Sequence, residues 1–218
     1  MTSASATVSP LEHQFEDAAQ QRHAATLGMW LFLATEVLFF GAMFLGYTVY
    51  RVYYPQAFAE ASRHTLITYG GINTAVLLIS STTMAFAVRA ASQNRRALLG
   101  AFLLLTALLG GLFLVIKGFE YTREIHEGLL PERSFHIEVA DATHAEMFFY
   151  TYWLTTGVHA LHVTIGVVLI TLFALRAWFA NAFRNHDTPV ELLGLYWHFV
   201  DIVWLFLFPL LYMIDRHS

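Results

Sequence analysis

The sequence contains no cysteine among its 218 residues. The protein therefore has no disulfide bond, and it cannot offer thiolates to an iron–sulfur cluster or to a copper or zinc site. Charged residues are scarce as well, because Asp, Glu, Lys and Arg make up 13% of the chain, whereas a soluble domain carries about 25%. Long apolar runs lie between these few charges, which indicates a membrane protein.

The basic residues form no patch with interleaved aromatic residues, so we expect no nucleic-acid partner. Hydrophobic residues make up 57% of the chain and aromatic residues 16%, and the mean hydropathy is +0.53. Residues 1–25 read as a polar N-terminal tail, without the basic start and apolar core of a signal peptide. We find no internal repeat, and we expect residues 26–218 to form a single membrane domain.

Five apolar runs reach the roughly 20 residues that a helix needs to span a bilayer. The sequence therefore predicts an all-α fold, a polytopic membrane helix bundle with five transmembrane helices. The polar stretch 121–146 contains Pro131 and predicts a surface loop between the third and fourth spans. The predicted spans run from about Leu27 to Tyr50, Leu66 to Val88, Ala97 to Ile116, Met147 to Trp178 and Leu192 to Ile214.

Basic residues mark two of the connections between these spans. Arg89, Arg95 and Arg96 follow the second span, and Arg176 and Arg184 follow the fourth, whereas the connection after the third span is rich in glutamate. Cytoplasmic loops carry an excess of Lys and Arg. We therefore expect these two connections and the N-terminus in the cytoplasm, and the C-terminus outside.

The fourth predicted span carries His159 and His162, three positions apart in an apolar run. Residues at this spacing share a helix face, and ionisable groups at membrane depth normally face the interior of a bundle. Glu36 in the first span and Asp201 in the fifth are the candidate partners. An ionised carboxylate at this depth is costly, so we expect Glu36 to be protonated and to hydrogen-bond a histidine, His162 before His159. Glu36 could handle protons, bind a lipid or ion, or serve as a neutral bond between helices.

His198 and Asp201 are also three positions apart, so they could pair on one face of the last span. This pair could belong to the same proton- or lipid-related site, or it could be a structural contact among packing aromatic residues.

Several other polar or small residues are interpreted as structural. Asn73 and Thr74 lie early in the second span, where polar side chains commonly bond between helices. Gly157 and Gly166 would allow neighbouring helices to approach closely. For Asn73 and Thr74, contact with a ligand is the alternative.

The third predicted span closes with Lys117, Glu120 and Tyr121, whose spacing places them on one helix face. We interpret Glu120 and Tyr121 as structural polar residues that, with Lys117, anchor the span at the membrane interface. Contact with a lipid headgroup is the alternative.

Two other classes of membrane protein fit part of this pattern. A b-type cytochrome needs axial histidines matched across helices, and His159, His162 and His198 are a sparse supply. A small ion-coupled transporter could use Glu36 and Asp201, but transporters usually show repeats and interrupted helices. Neither feature is present in the sequence.

The order of these motifs resembles subunit III of cytochrome c oxidase, in the haem–copper oxidase family, over roughly residues 27 to 214. The final motif is the most specific. The resemblance is carried by Glu36-Val-Leu-Phe-Phe40, Asn73-Thr74, Glu120-Tyr121, Thr156-Gly157-x-His159-x-x-His162-Val163 and Tyr196-Trp197-His198-Phe199-Val200-Asp201-x-Val203-Trp204-Leu205-Phe206.

The resemblance implies an accessory subunit without catalytic, cofactor-binding or metal-binding residues of its own. Subunit III packs beside the catalytic subunit I, whose complex holds the haem and copper, binds phospholipid and supports proton uptake and pumping. Many members have seven spans, and this chain resembles the short bacterial form with five, in the inner membrane. Glu36 matches the family's intramembrane carboxylate. Similar subunits occur in quinol oxidases and beside nitric oxide reductases, so the electron donor is left open between cytochrome c and quinol.

Overall fold

The computed structural model describes residues 13–132, 135, 141–179 and 187–214, and the regular structure in these ranges is helical. Within them, five helices are long and apolar enough to cross a membrane. The predicted all-α, five-span fold is therefore confirmed. A short additional helix, α2, was not predicted. The helices are α1 (Ala18–Tyr53), α2 (Pro55–Arg63), α3 (Ile67–Ser92), α4 (Arg96–His126), α5 (Ala142–Phe179) and α6 (Thr188–Tyr212).

Helix α1 begins inside the segment predicted to be a polar tail. The side chain of Asp17 accepts a hydrogen bond from the Gln20 amide at 2.7 Å, and the Gln20 side chain accepts one from the Glu16 amide at 2.7 Å. These bonds satisfy amide groups that have no partner within the helix, so α1 begins at Ala18. Residues 1–12 of the predicted tail lie outside the described residues.

Proline separates α1 from α2. The residue before a proline is sterically disfavoured in the helical region, and Tyr54 has an extended φ of −128°. Pro55 then opens α2 at a position where its missing N–H costs no hydrogen bond. Phe58 of α2 is fully buried, with ring centroids 5.6 Å from both Tyr47 and Phe148. Helix α2 therefore closes one end of the bundle.

The predicted surface loop over residues 121–146 is wrong at both ends, because α4 continues to His126 and α5 already begins at Ala142. The end of α4 is fixed by Gly128, whose φ of 75° lets the Leu129 amide donate to the Glu124 carbonyl oxygen at 3.0 Å. The polar composition of this stretch does not indicate exposure to water, because several of its side chains point into the bundle.

Helices α3, α4, α5 and α6 form the packed core, and Trp197 of α6 lies at its centre, fully buried. A Cβ atom on Gly110 of α4 would lie 2.7 Å from Trp197 Cη2, and one on Gly166 of α5 would lie 2.6 Å from Trp197 Cζ3. The indole fits only because both positions lack a side chain. The predicted close approach is therefore present at Gly166, but it is wrong for Gly157, which has open space beside it.

Helix α1 lies at the margin of this core. It packs against α2, α5 and α6, but not against α3 or α4. Only 11% of the residues in its most apolar stretch are buried. The Tyr47 hydroxyl donates to the Leu210 carbonyl oxygen of α6 at 2.5 Å. Most of the surface of α1 is therefore available to lipid or to another protein.

Candidate functional site

The predicted contact between Glu36 and His162 is present. Glu36 Oε2 of α1 lies 3.1 Å from His162 Nε2 of α5, and both side chains are mostly buried, with 17% and 14% of their surfaces exposed. The Phe40 ring packs edge-on against the imidazole, with centroids 5.2 Å apart. This contact is a polar link between the marginal helix α1 and the core.

The hydrogen bonds of His162 define which of its nitrogens carries a proton. Nδ1 lies 2.9 Å from the carbonyl oxygen of Val158. A carbonyl oxygen can only accept, so Nδ1 is the donor. Nε2 then either accepts from a protonated Glu36 or, when it also carries a proton, donates to an ionised Glu36. In both states one proton lies between ring and carboxyl group, and the pair has no net charge.

His159 has different surroundings from His162, although the spacing predicted a shared face. It is fully buried, stacked on Trp204 with centroids 5.2 Å apart and edge-on to Phe113 at 5.6 Å. Neither ring nitrogen has a hydrogen-bond partner among the described residues. His159 therefore belongs to the aromatic core between α4, α5 and α6, and His162 belongs to the contact with α1.

The predicted pairing of His198 with Asp201 is wrong. His198 Nδ1 lies 2.7 Å from Ser81 Oγ of α3, whereas both carboxyl oxygens of Asp201 are buried without a partner at hydrogen-bond distance among the described residues. Ser81 also lies near Asp201. A hydroxyl on the facing helix reaches the imidazole better than the short Asp201 side chain does. Asp201 also makes no bond to His159 or His162.

Asn73 and Thr74 differ despite being neighbours. Thr74 Oγ1 donates to the Gly70 carbonyl oxygen at 2.8 Å and accepts from Trp204 Nε1 at 3.0 Å, so it links α3 to α6. Asn73 is fully buried, and its amide group has no hydrogen-bond partner in the described part of the chain. The predicted hydrogen bond between helices is therefore present for Thr74 and absent for Asn73 within the described ranges.

Lys117, Glu120 and Tyr121 share a helix face as predicted, but the face points inward. Lys117 Nζ lies 3.0 Å from Glu120 Oε2 and 4.7 Å from the Tyr121 ring centroid. Lys117 is only 2% exposed and Glu120 is fully buried. The interpretation of these residues as an interfacial anchor or headgroup contact is therefore wrong, because Lys117 and Glu120 lie inside the bundle.

Three further residues complete this buried cluster, and sequence reasoning missed them: Glu124, Tyr152 of α5 and Tyr212 of α6. Lys117 Nζ donates to the Tyr152 hydroxyl at 2.7 Å and to the Tyr212 hydroxyl at 2.6 Å. Tyr152 donates to Glu124 Oε1 at 2.6 Å, and Tyr212 donates to Glu120 Oε1 at 2.8 Å. We give the name lysine cluster to five side chains, without Tyr121: Lys117, Glu120, Glu124, Tyr152 and Tyr212.

The lysine cluster contains one cation and two carboxyl groups. Lys117 uses its three donors on Glu120, Tyr152 and Tyr212, so it has none left for Glu124. Glu124 Oε2 is buried and has no partner among the described residues. With Lys117 protonated, the cluster is electrically balanced when one carboxyl group holds a proton, and Glu124 is the carboxyl group that makes no bond to the lysine.

The sequence did hold a signal for Glu124, because it lies seven positions after Lys117 and four after Glu120. Continuing the helical spacing past the apolar run would have placed it on the same face. Tyr152 and Tyr212 gave no such signal, because they come from other helices.

The geometry defines a polytopic helical membrane protein whose polar side chains are gathered inside the bundle. No group of three or more His, Asp or Glu side chains in the described ranges could hold a metal ion. The family model of cytochrome c oxidase subunit III matches residues 12–215, which is most of the chain. The protein belongs to the cytochrome c oxidase subunit III family and is thus a subunit of a terminal oxidase complex.

Its relatives include subunits of oxidases with different names. The chain is 28% identical to the cytochrome bo(3) ubiquinol oxidase subunit 3 of Pseudomonas aeruginosa, covering 92% of this chain and 90% of that protein. It is 32% identical to the cytochrome c oxidase subunit 3 of Synechocystis, covering 86% and 74%. It is 30% identical to the cytochrome c oxidase subunit 3 of Corynebacterium diphtheriae, covering 91% and 95%.

Proposed function

We propose that this chain is a cofactor-free accessory subunit that packs beside catalytic subunit I and supports its proton uptake and its stability. The contact between Glu36 and His162 carries this proposal, because it is a proton-sharing pair inside the membrane spans. Intramembrane ionisable groups are expensive and mark proton or ion pathways by default. The haem and copper of the complex belong to its other subunits.

The chemistry of the pair suits proton supply. One proton moves between Oε2 of Glu36 and Nε2 of His162 without creating net charge, since Nδ1 keeps its own proton through the bond to Val158. A neutral pair can persist in an apolar environment that would penalise a lone ion. Proton movement here changes no oxidation state, so the pair influences proton delivery and not electron transfer.

The proposed setting is the bacterial inner membrane, with the turn between α3 and α4 and the N-terminus in the cytoplasm and the C-terminus outside. The basic residues Arg89, Arg95 and Arg96 at this turn support the orientation. The exposed apolar surface of α1 supports contact with phospholipid and with the other oxidase subunits. A polar protein or nucleic acid would not cover such a surface.

We propose cytochrome c as the electron donor of the complex. The names of the Synechocystis and C. diphtheriae relatives support this donor. A quinol oxidase is the second candidate, supported by the name of the P. aeruginosa relative. Family membership favours either oxidase over an ion-coupled transporter or a b-type cytochrome. Oxygen consumption by the purified complex with reduced cytochrome c, compared with that with a ubiquinol, distinguishes the two donors.

The test of the pair is Glu36→Gln in the complex reconstituted into vesicles. The amide can still donate to His162 Nε2, so assembly and haem spectra should remain unchanged, but it cannot release a proton. Proton release per oxygen consumed, or the lifetime of the enzyme during turnover, should therefore fall. Glu60→Gln is the matched control, because Glu60 lies in α2, outside the membrane spans.

Glu36→Leu separates the structural contribution of Glu36 from the proton contribution. It leaves His162 Nε2 without its partner, so we expect an additional assembly defect. A pumping ratio and an inactivation rate in Glu36→Gln identical to those of the wild type would reduce Glu36 to a structural residue.

A further inference from the structure

A groove of about 360 Å³ opens at the end of the bundle where α3 turns into α4. Its walls come from both helices, and the side chains change character along its length. We call it the α3–α4 groove: Arg89, Gln93 and Arg95 line its polar end, and Phe86, Leu98 and Phe102 line its apolar part.

The turn itself fixes where the polar end lies. Asn94 adopts a left-handed φ of 54°, its amide donates to the Ala91 carbonyl oxygen at 2.9 Å, and the Arg95 amide donates to the Ala90 carbonyl oxygen at 2.9 Å. These two bonds terminate α3 in a defined geometry. The backbone of Arg95 is therefore held beside the last turn of α3, which carries Arg89.

Both arginines are exposed, and neither has an acidic partner in the ranges that the structure describes. Arg123 and Arg22, in contrast, each form an ion pair with a carboxylate. Two unpaired guanidinium groups on one groove favour an anion, and the planar guanidinium matches the oxygens of a phosphate.

The apolar part of the groove lies towards the middle of the membrane. Phe86 is one turn before Arg89 in α3, and Leu98 and Phe102 are one turn apart in α4. The rings of Phe86 and Phe102 have centroids 5.5 Å apart, and Phe86 and Leu98 are 48% and 42% exposed. The groove thus offers cations at the membrane surface and an apolar wall below them.

We propose that the α3–α4 groove binds an anionic phospholipid. The phosphate group lies between Arg89 and Arg95, and an acyl chain runs along Phe86, Leu98 and Phe102. An anionic lipid carries its charge at one end and its apolar chains below it, which is the same order of polar and apolar parts as in the groove. The proposal rests on the proposed function only for lipid binding as such, and it adds the place and the headgroup class. It does not depend on the Glu36–His162 pair.

The test uses the purified oxidase complex, stripped of lipid in mild detergent and titrated with phosphatidylglycerol while bound lipids are counted by native mass spectrometry. Each cation near a membrane surface contributes about 1 kcal/mol to anionic lipid binding, so Arg89→Gln with Arg95→Gln should weaken the groove site roughly 30-fold. Phosphatidylcholine, which has no net charge, should bind weakly to the wild-type complex and to the double glutamine variant. Arg176→Gln is the control, an exposed arginine at the same end of the bundle, away from the groove.

The pair of substitutions Arg89→Lys and Arg95→Lys should restore part of the affinity, because lysine still binds phosphate as a point charge. Inorganic phosphate should not displace the lipid, since it has no acyl chain. Unchanged phosphatidylglycerol affinity in the glutamine variant would overturn the proposal, as would a loss equal to that of Arg176→Gln. The loss of another subunit with lipid binding intact would show that a protein occupies the groove instead. Proton pumping should stay normal in the glutamine variant, which separates this proposal from that for Glu36.

Discussion

Lys117 is a buried lysine whose ammonium donors all have hydrogen-bond partners. Its ammonium group makes three hydrogen bonds and lies 4.7 Å and 5.3 Å from the ring centroids of Tyr152 and Tyr212. Taking such a charge out of water is costly unless it is paired and fully hydrogen-bonded. The lysine cluster therefore holds α4, α5 and α6 in one defined arrangement.

Replacing Lys117 with Met should destabilise the protein by about 3–5 kcal/mol, because the change leaves Glu120 as an uncompensated buried charge. The measurement is the yield and thermal stability of the assembled complex. Glu124→Gln is the control, since Glu124 makes no bond to Lys117 and the amide oxygen of the substituted side chain can still accept from Tyr152. We expect it to cost much less than Lys117→Met, and equal losses would contradict the role assigned to the lysine.

At the residue scale, prediction from the sequence succeeded for the contact between Glu36 and His162, but it failed for the pairing of His198 with Asp201. Glu36 and His162 each lie deep in an apolar run, so each needed a partner and few were available. It failed for the lysine cluster, because polar residues at the end of a span could equally face water. The deciding partners, Tyr152 and Tyr212, are brought in only by the packing of α5 and α6.

The close packing of α4, α5 and α6 depends on positions without side chains. Trp197 occupies the space that a Cβ on Gly110 or Gly166 would need, and its Nε1 donates to Ser80 Oγ of α3 at 3.0 Å. A single indole thus touches the three other core helices.

Gly166→Ala should destabilise the bundle by about 1–3 kcal/mol, because the added methyl group overlaps the buried Trp197 ring. Gly157→Ala is the matched control in the same helix, with open space for the methyl group, and it should be neutral or slightly stabilising. Thermal unfolding of the two variant complexes in the same detergent makes the comparison. Equal behaviour of the two would show that the indole can move aside.

At the element scale, the apolar runs located all five spans, but not where the helices end. An apolar run marks the part of a helix whose side chains contact lipid. The helix itself ends where its backbone hydrogen bonds and caps end. Helix α4 therefore extends to His126, ten residues beyond the predicted Ile116. Helix α2 had no comparable signal, because it is short and its apolar side chains face only the other helices.

At the scale of the whole molecule, the apolar stretch of α1 is the least buried of the five membrane spans among the described residues. Helices α3 to α6 enclose the aromatic core, whereas α1 exposes large apolar side chains such as Trp30, Leu38 and Leu45 along its length. Surfaces of this kind are covered by lipid or by other membrane subunits. The subunit therefore has a broad face for its neighbours in the complex.

We expect the chain to be less stable alone than in the complex. Affinity purification of the tagged chain in mild detergent should recover a larger oxidase subunit with it. A monodisperse monomer in lipid, as stable as the complex, would contradict this expectation.

We also expect the chain purified alone to show no haem absorption band and no bound copper. His159 is enclosed by Trp204 and Phe113, and His162 is engaged by Glu36 and Val158. We therefore expect neither ring to ligate a haem iron. The measurements are an absorption spectrum and elemental analysis, and stoichiometric haem or copper would refute the assignment.

The marginal position of α1 has a consequence for biosynthesis. Helix α1 leaves the ribosome before the other described helices, whereas its partners α5 and α6 follow α3 and α4, and the bond from Tyr47 to Leu210 joins residues 163 positions apart. Helix α1 therefore lies in the bilayer without α5 and α6 while α3 and α4, which are consecutive in the chain, pack against each other. During that interval Glu36 has no His162 to meet. Insertion of α5 is thus the step at which the buried acid first acquires its partner, and until then Glu36 lies among lipid or insertase side chains.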